Sequence, residues 1–101
     1  MPDVTALDSL EETTHAEVFD GGSPRTVRLR LEADERVPAH RHPDSNVVLL
    51  VLSGRLELAL GDETYALGPD DVVRFDGDQD ISPRAVEPST ALIVFAPKRD
   101  P

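Results

Sequence analysis

The stretch Pro38-Ala39-His40-Arg41-His42-Pro43-Asp44-Ser45-Asn46-Val47-Val48-Leu49-Leu50-Val51-Leu52-Ser53-Gly54-Arg55-Leu56-Glu57-Leu58-Ala59-Leu60 decides the fold of this chain. Leu56, Leu58 and Leu60 recur at every second position, the period of a strand with one buried face. Residues 47–52 are apolar without a break, so a strand there must be covered on both faces. Further out the same two patterns return. Val27, Leu29 and Leu31 alternate with Thr26, Arg28 and Arg30, and residues 91–96 are again apolar on both faces.

Turn-forming clusters separate these runs: Asp20-Gly21-Gly22-Ser23-Pro24, Ser53-Gly54, Gly61-Asp62-Glu63, Gly68-Pro69-Asp70-Asp71, Asp76-Gly77-Asp78 and Glu87-Pro88-Ser89. Their spacing predicts about eight or nine short strands in an all-β barrel or sandwich. Residues 1–14 read as a polar N-terminal arm, with Leu7 and Leu10 able to dock. Residues 15–97 form the barrel, and residues 98–101 a short tail. The chain has no helix to spare for covering its two-faced strands. A homodimer packed through the outer faces of one sheet is therefore predicted, with cover by the N-terminal arm as the alternative.

Twenty acidic residues stand against ten basic ones, and Lys98 is the single lysine. A net charge of −10 repels phosphate backbones and anionic bilayers, so neither nucleic acid nor a membrane is an expected partner. Without cysteine there is no disulfide, thiolate ligand or thiol nucleophile. Residues 1–14 lack the basic start and apolar core of a secretory signal, and residues 47–52 are far too short to span a bilayer. A cytoplasmic protein is predicted, with the Asp-rich, lysine-poor surface of salt-adapted, halophilic proteins.

His40-Arg41-His42 is the sharpest chemical feature. In extended backbone, positions i and i+2 point to the same side, so both imidazoles reach one point while Arg41 turns away. A neutral imidazole donates a nitrogen lone pair to a metal. The remaining candidates read as structural. His15 stands alone before an early strand, as a surface or packing residue. Arg28 and Arg30 form a solvated face or pair with charges across strands, Arg84 makes a surface ion pair, with a ligand carboxylate as the alternative, and Tyr65 and the three Phe belong to the core. No nucleophile elbow surrounds Ser45 or any other serine, and no glycine loop cradles a phosphate.

Residues 34–43 followed by residues 47–56 resemble the first motif of the cupin superfamily. Residues 65–77, from Tyr65-Ala66-Leu67-Gly68-Pro69-Asp70-Asp71 to Phe75-Asp76-Gly77, resemble the start of the second. The resemblance implies an all-β, single-domain double-stranded β-helix (jelly-roll-like) barrel, commonly dimeric. It also implies a divalent metal held by two His and a Glu of the first motif and a His of the second. His40 and His42 match the histidine pair. The Glu position falls on Val47, with Asn46 beside it as a weak amide ligand, and the second-motif His position falls on Asp80. The implied set is thus His40, His42 and Asp80, with Asn46 or Asp44 auxiliary, suited to Fe, Mn, Ni or Zn. A metal with open positions would support an isomerase, decarboxylase or dioxygenase acting on a small molecule. The alternative is a metal-free barrel that binds a small-molecule ligand or regulates, without chemistry of its own. The acidic surface carries its own expectation: screening its self-repulsion raises the melting temperature in molar KCl. A flat or falling melting temperature would contradict the salt-adapted reading.

Overall fold

The computed structural model describes residues 2–98; Met1 and residues 99–101, most of the predicted tail, lie outside them. A single 3-10 turn, Leu7–Ser9, precedes six strands: β1 (Thr14–Glu17), β2 (Arg25–Leu31), β3 (Ser45–Leu60), β4 (Glu63–Leu67), β5 (Val72–Asp76) and β6 (Ile81–Pro97). All pair antiparallel. No helix among the described residues is long and apolar enough to cross a membrane.

Six strands replace the eight or nine expected, because two predicted turns are bends within continuous strands. Ser53-Gly54 lies inside β3 and Glu87-Pro88-Ser89 inside β6, and these two strands pair along almost their whole lengths. Their register shifts between Val51 and Leu56, where the ladder bulges. Gly54 takes φ 88°, and a Cβ there would meet Ser89 Oγ at 2.2 Å and the Pro88 carbonyl at 2.4 Å. Only glycine permits that backbone and that approach. Ser89 Oγ closes the bulge: it accepts from the Arg55 amide at 2.9 Å and lies 2.7 Å from the Glu87 carbonyl.

Each long strand therefore serves two sheets. The first half of β3 lies between β5 and the second half of β6, and β2 then β1 extend that sheet. The second half of β3 lies between β4 and the first half of β6. Between the two sheets sit the predicted inward residues: Val27, Leu29 and Leu31 of β2, and Leu56, Leu58 and Leu60 of β3, all buried. Val37, Val47, Leu49, Val51, Phe75, Ile81, Ala85, Ala91 and Ile93 complete the core.

Arg28 departs from expectation. It is 1% exposed, although its strand position faces away from the barrel interior. The arm folds back over β2, and the guanidinium gathers its carbonyls: Nη1 donates to Leu7 at 2.7 Å and Leu10 at 3.4 Å, and Nη2 to Glu12 at 2.7 Å. Five fixed N–H donors suit a knot of chain carbonyls, though Nε finds no partner among the described residues. Ala16, the β1 partner of Arg28, is fully buried on the same side. The arm thus covers part of the outer face. Val48, Leu50, Leu92 and Val94 remain half-buried there, and Leu52 is exposed. Tyr65 also departs from its predicted core place. It is exposed on β4 and donates to Glu63 at 2.7 Å.

Arg28→Ala is expected to cost about 2–3 kcal/mol, the scale of hydrogen bonds to a charged group, because the released carbonyls can turn to water. Urea unfolding reads the loss, and limited proteolysis within residues 7–12 should accelerate. Unchanged stability and cleavage would mean that Arg28 does not hold the arm.

Candidate functional site

The segment between β2 and β3 carries the histidine pair. Pro38 and Pro43 bias the residues before them to extended backbone. The segment lies along the first half of β6, bridging at Arg36–Arg84 and His40–Ile81. The His40 amide donates to the Ile81 carbonyl at 3.1 Å, and the Ile81 amide returns to His40 at 2.9 Å. His42 is seated from the other side: its amide donates to the Gly77 carbonyl at 2.8 Å. A Cβ on Gly77 would lie 2.3 Å from the His42 carbonyl, so the β5–β6 turn closes on this loop only because residue 77 is glycine.

Both imidazoles line one cavity of about 400 Å³ within the barrel. Their ring centroids are 4.9 Å apart in a T-shaped arrangement, and His42 packs on Phe95 at 4.6 Å. Arg41, between them, points outward to Asp80 and Asp78. Val27, Val47, Leu49, Leu58, Phe75, Ile81 and Ile93 make the deeper wall apolar. His15 and Arg25 join the lining from β1 and β2. The Arg25 guanidinium lies 5.0 Å over the Phe95 ring and donates through Nε and Nη2 to Glu17 at 2.9 and 2.6 Å.

The carboxylate and amide members of the expected ligand set lie apart from the histidine pair. Asp80 is exposed outside the cavity, its Oδ1 taking the Arg41 Nε–H at 2.9 Å. Asn46 is exposed and outside the lining because strand alternation points Val47 inward and its neighbour outward. Asp44 is likewise exposed outside the cavity. Arg84 makes the predicted surface ion pairs, with Asp34 at 2.9 Å and Glu57 at 2.6 Å.

His15 is the lining residue that sequence reasoning set aside. Its signal is register: His15 pairs with inward-facing Leu29, which puts it on the cavity side of β1. That pairing is not readable from His15 alone.

Three observations bear on whether a divalent metal fits. His40 Nδ1 lies 3.0 Å from the Pro38 carbonyl. Donation there leaves Nε2 as the lone-pair nitrogen, the arrangement of a metal-ligating imidazole. Against it, an aliphatic Val47 occupies the family's glutamate position, and no group of three or more His, Cys, Asp or Glu among the described residues is placed to hold a metal ion. The residues present do not fit the four-ligand centre.

The sequence matches the cupin domain family over residues 27–96, and the chain belongs to that family. It is similar in structure to TT1209 from Thermus thermophilus, with a TM-score of 0.81 and 20% identity over 95% of this chain and 98% of that one. A conserved double-stranded β-helix protein from Klebsiella pneumoniae gives a TM-score of 0.83 at 18% identity, covering 96% and 91%. KdgF from Halomonas sp. gives 0.73 at 23%, covering 85% and 79%. At these identities the likeness establishes the double-stranded β-helix fold. Among curated proteins, no sequence relative matches.

The site's electrostatics are those of a partly dry mouth. Burial, then the neighbouring His40 and Arg25 charges, hold His15 and His42 below the ordinary value of 6.5. Folding thus favours their neutral forms. The stability this contributes is complete above pH 6.5 and is lost as pH falls through the lowered values, because the unfolded chain binds the extra protons. Urea midpoints measured downward from pH 6.5 should therefore decline, and the His15→Gln, His42→Gln double variant should decline less. Equal slopes would contradict this account.

Proposed function

We propose that this cupin is a small-molecule-binding barrel whose pocket takes a ligand with an apolar body. One observation carries the reading: a cavity of about 400 Å³, walled by Val, Leu, Ile and Phe, with its polar groups gathered among three imidazoles and one guanidinium. Such a volume lies within the range of small-molecule sites. No Ser, Thr, Cys, Lys, Tyr, Asp or Glu lines it, so among the lining side chains only the imidazoles are nucleophiles.

A second reading keeps His40 and His42 as a two-imidazole site for a divalent transition metal, favoured by the Nδ1 contact to Pro38. The homodimer is also retained as a proposal, with the half-buried Val48, Leu50, Leu92 and Val94 as its face.

Titrating hexan-1-ol into methyl-labelled protein tests the binding reading. Shifts are expected at Leu49, Leu58 and Ile93, and not at the exposed Leu52, Val72 and Val86. Shifts confined to the exposed methyls would overturn it. Metal analysis of untagged protein separates the second reading. Near-stoichiometric metal that is lost in both His40→Ala and His42→Ala would establish that reading, and trace metal unaffected by either change would exclude it.

A further inference from the structure

The chain distributes its charge unevenly around this pocket. It carries 20 Asp and Glu against 10 Lys and Arg, yet none of the cavity-lining residues is acidic. All three of its histidines line the cavity, together with Arg25. They arrive from separate places: His15 on β1, Arg25 at the start of β2, and His40 and His42 on the segment before β3. On a surface where acid outnumbers base two to one, this is a mouth of imidazoles around one guanidinium, with no lining carboxylate, over an apolar interior.

We infer that the pocket binds a small organic monoanion, its apolar body inside the barrel and its carboxylate at the mouth against Arg25, His15 and His42. This rests on the binding reading above and names its ligand class. Arg25 is the permanent charge of the mouth. It is positioned by Phe95 beneath its guanidinium and by Glu17, which engages Nε and Nη2. Nη1 makes no hydrogen bond among the described residues and presents the remaining N–H groups of the fork. Phe95 ties Arg25 to the histidine pair, since His42 packs on the same ring. The imidazoles need not be protonated, because a neutral ring with one N–H donates a hydrogen bond to a carboxylate. The acidic groups acting on the mouth are Glu17, against Arg25 and His15, and Glu35, against His15. Glu17 thus orients Arg25 and also opposes an incoming anion. The general acid excess of the surface disfavours anions elsewhere, so this mouth is where one is accepted.

Hexanoate, hexan-1-ol and acetate, titrated calorimetrically into the full chain at neutral pH and low salt, separate the charge from the apolar body. Hexanoate should bind about five- to tenfold more tightly than hexan-1-ol, the scale of a charge-assisted contact. Acetate should bind far more weakly than hexanoate. Arg25→Gln should bring hexanoate down to the level of hexan-1-ol while changing hexan-1-ol affinity far less, and an unchanged circular-dichroism spectrum and urea midpoint report that the variant is folded. Glu17→Gln should strengthen hexanoate alone. Should Arg25→Gln fail to fold, His15→Gln carries the same comparison, with a smaller loss confined to hexanoate. Hexanoate binding no tighter than hexan-1-ol, or an advantage that survives both substitutions, would overturn the anion assignment while leaving the apolar pocket standing. Failure of both ligands to bind would overturn the pocket reading itself and the anion assignment with it.

Discussion

The long antiparallel ladder between β3 and β6 is the constraint on which the barrel depends. Two strands of this length cannot stay flat and also enclose a core, since right-handed twist accumulates along them. They bend at one shared place, where Gly54 admits the backbone of Pro88 and Ser89 and the Ser89 hydroxyl occupies the polar groups that the bulge would orphan. On either side of that bend the same two strands acquire different neighbours, β5 and β2 at one end and β4 at the other. One ladder thus makes both sheets, and the space between them becomes the core and the cavity.

The pocket inherits its geometry from this ladder. Ile81 at the start of β6 exchanges amide hydrogen bonds with His40, so the histidine segment is fastened to the ladder's end. Val47 and Leu49 of β3 and Ile93 of β6 form the wall opposite. Arg41 and Asp80 satisfy one another outside. That arrangement keeps the residue at the second-motif His position outside the barrel, while Val47 leaves the motif's Glu position aliphatic. What is left inside is hydrophobic wall with nitrogen donors at its mouth, a chemistry suited to recognition.

The N-terminal arm shows how a charged residue can serve as a clasp. Arg28 points away from the core, and it is buried because a polar segment lies across it and offers three carbonyl oxygens. Two-faced apolar strands and a buried arginine answer the same need, a second layer over a sheet too small to be wrapped by helices.

Local periodicity alone determined which residues face inward. The alternation at Val27, Leu29 and Leu31, and at Leu56, Leu58 and Leu60, is a property of extended backbone and needs no knowledge of partners. The same geometry placed His40 and His42 together and turned Arg41 away. Only the tertiary structure decided what those local patterns could not contain. Gly54 looks like a turn until Ser89 is seen beside it, and Arg28 looks solvated until residues 7–12 fold over it. His15 looks solitary until register with Leu29 carries it to the cavity, and Asp80 looks like a ligand until Arg41 takes its oxygen. Each depends on a contact between residues distant along the chain, and strand pairing that spans such distances is set by the summed packing of the whole barrel, which no short window of sequence records.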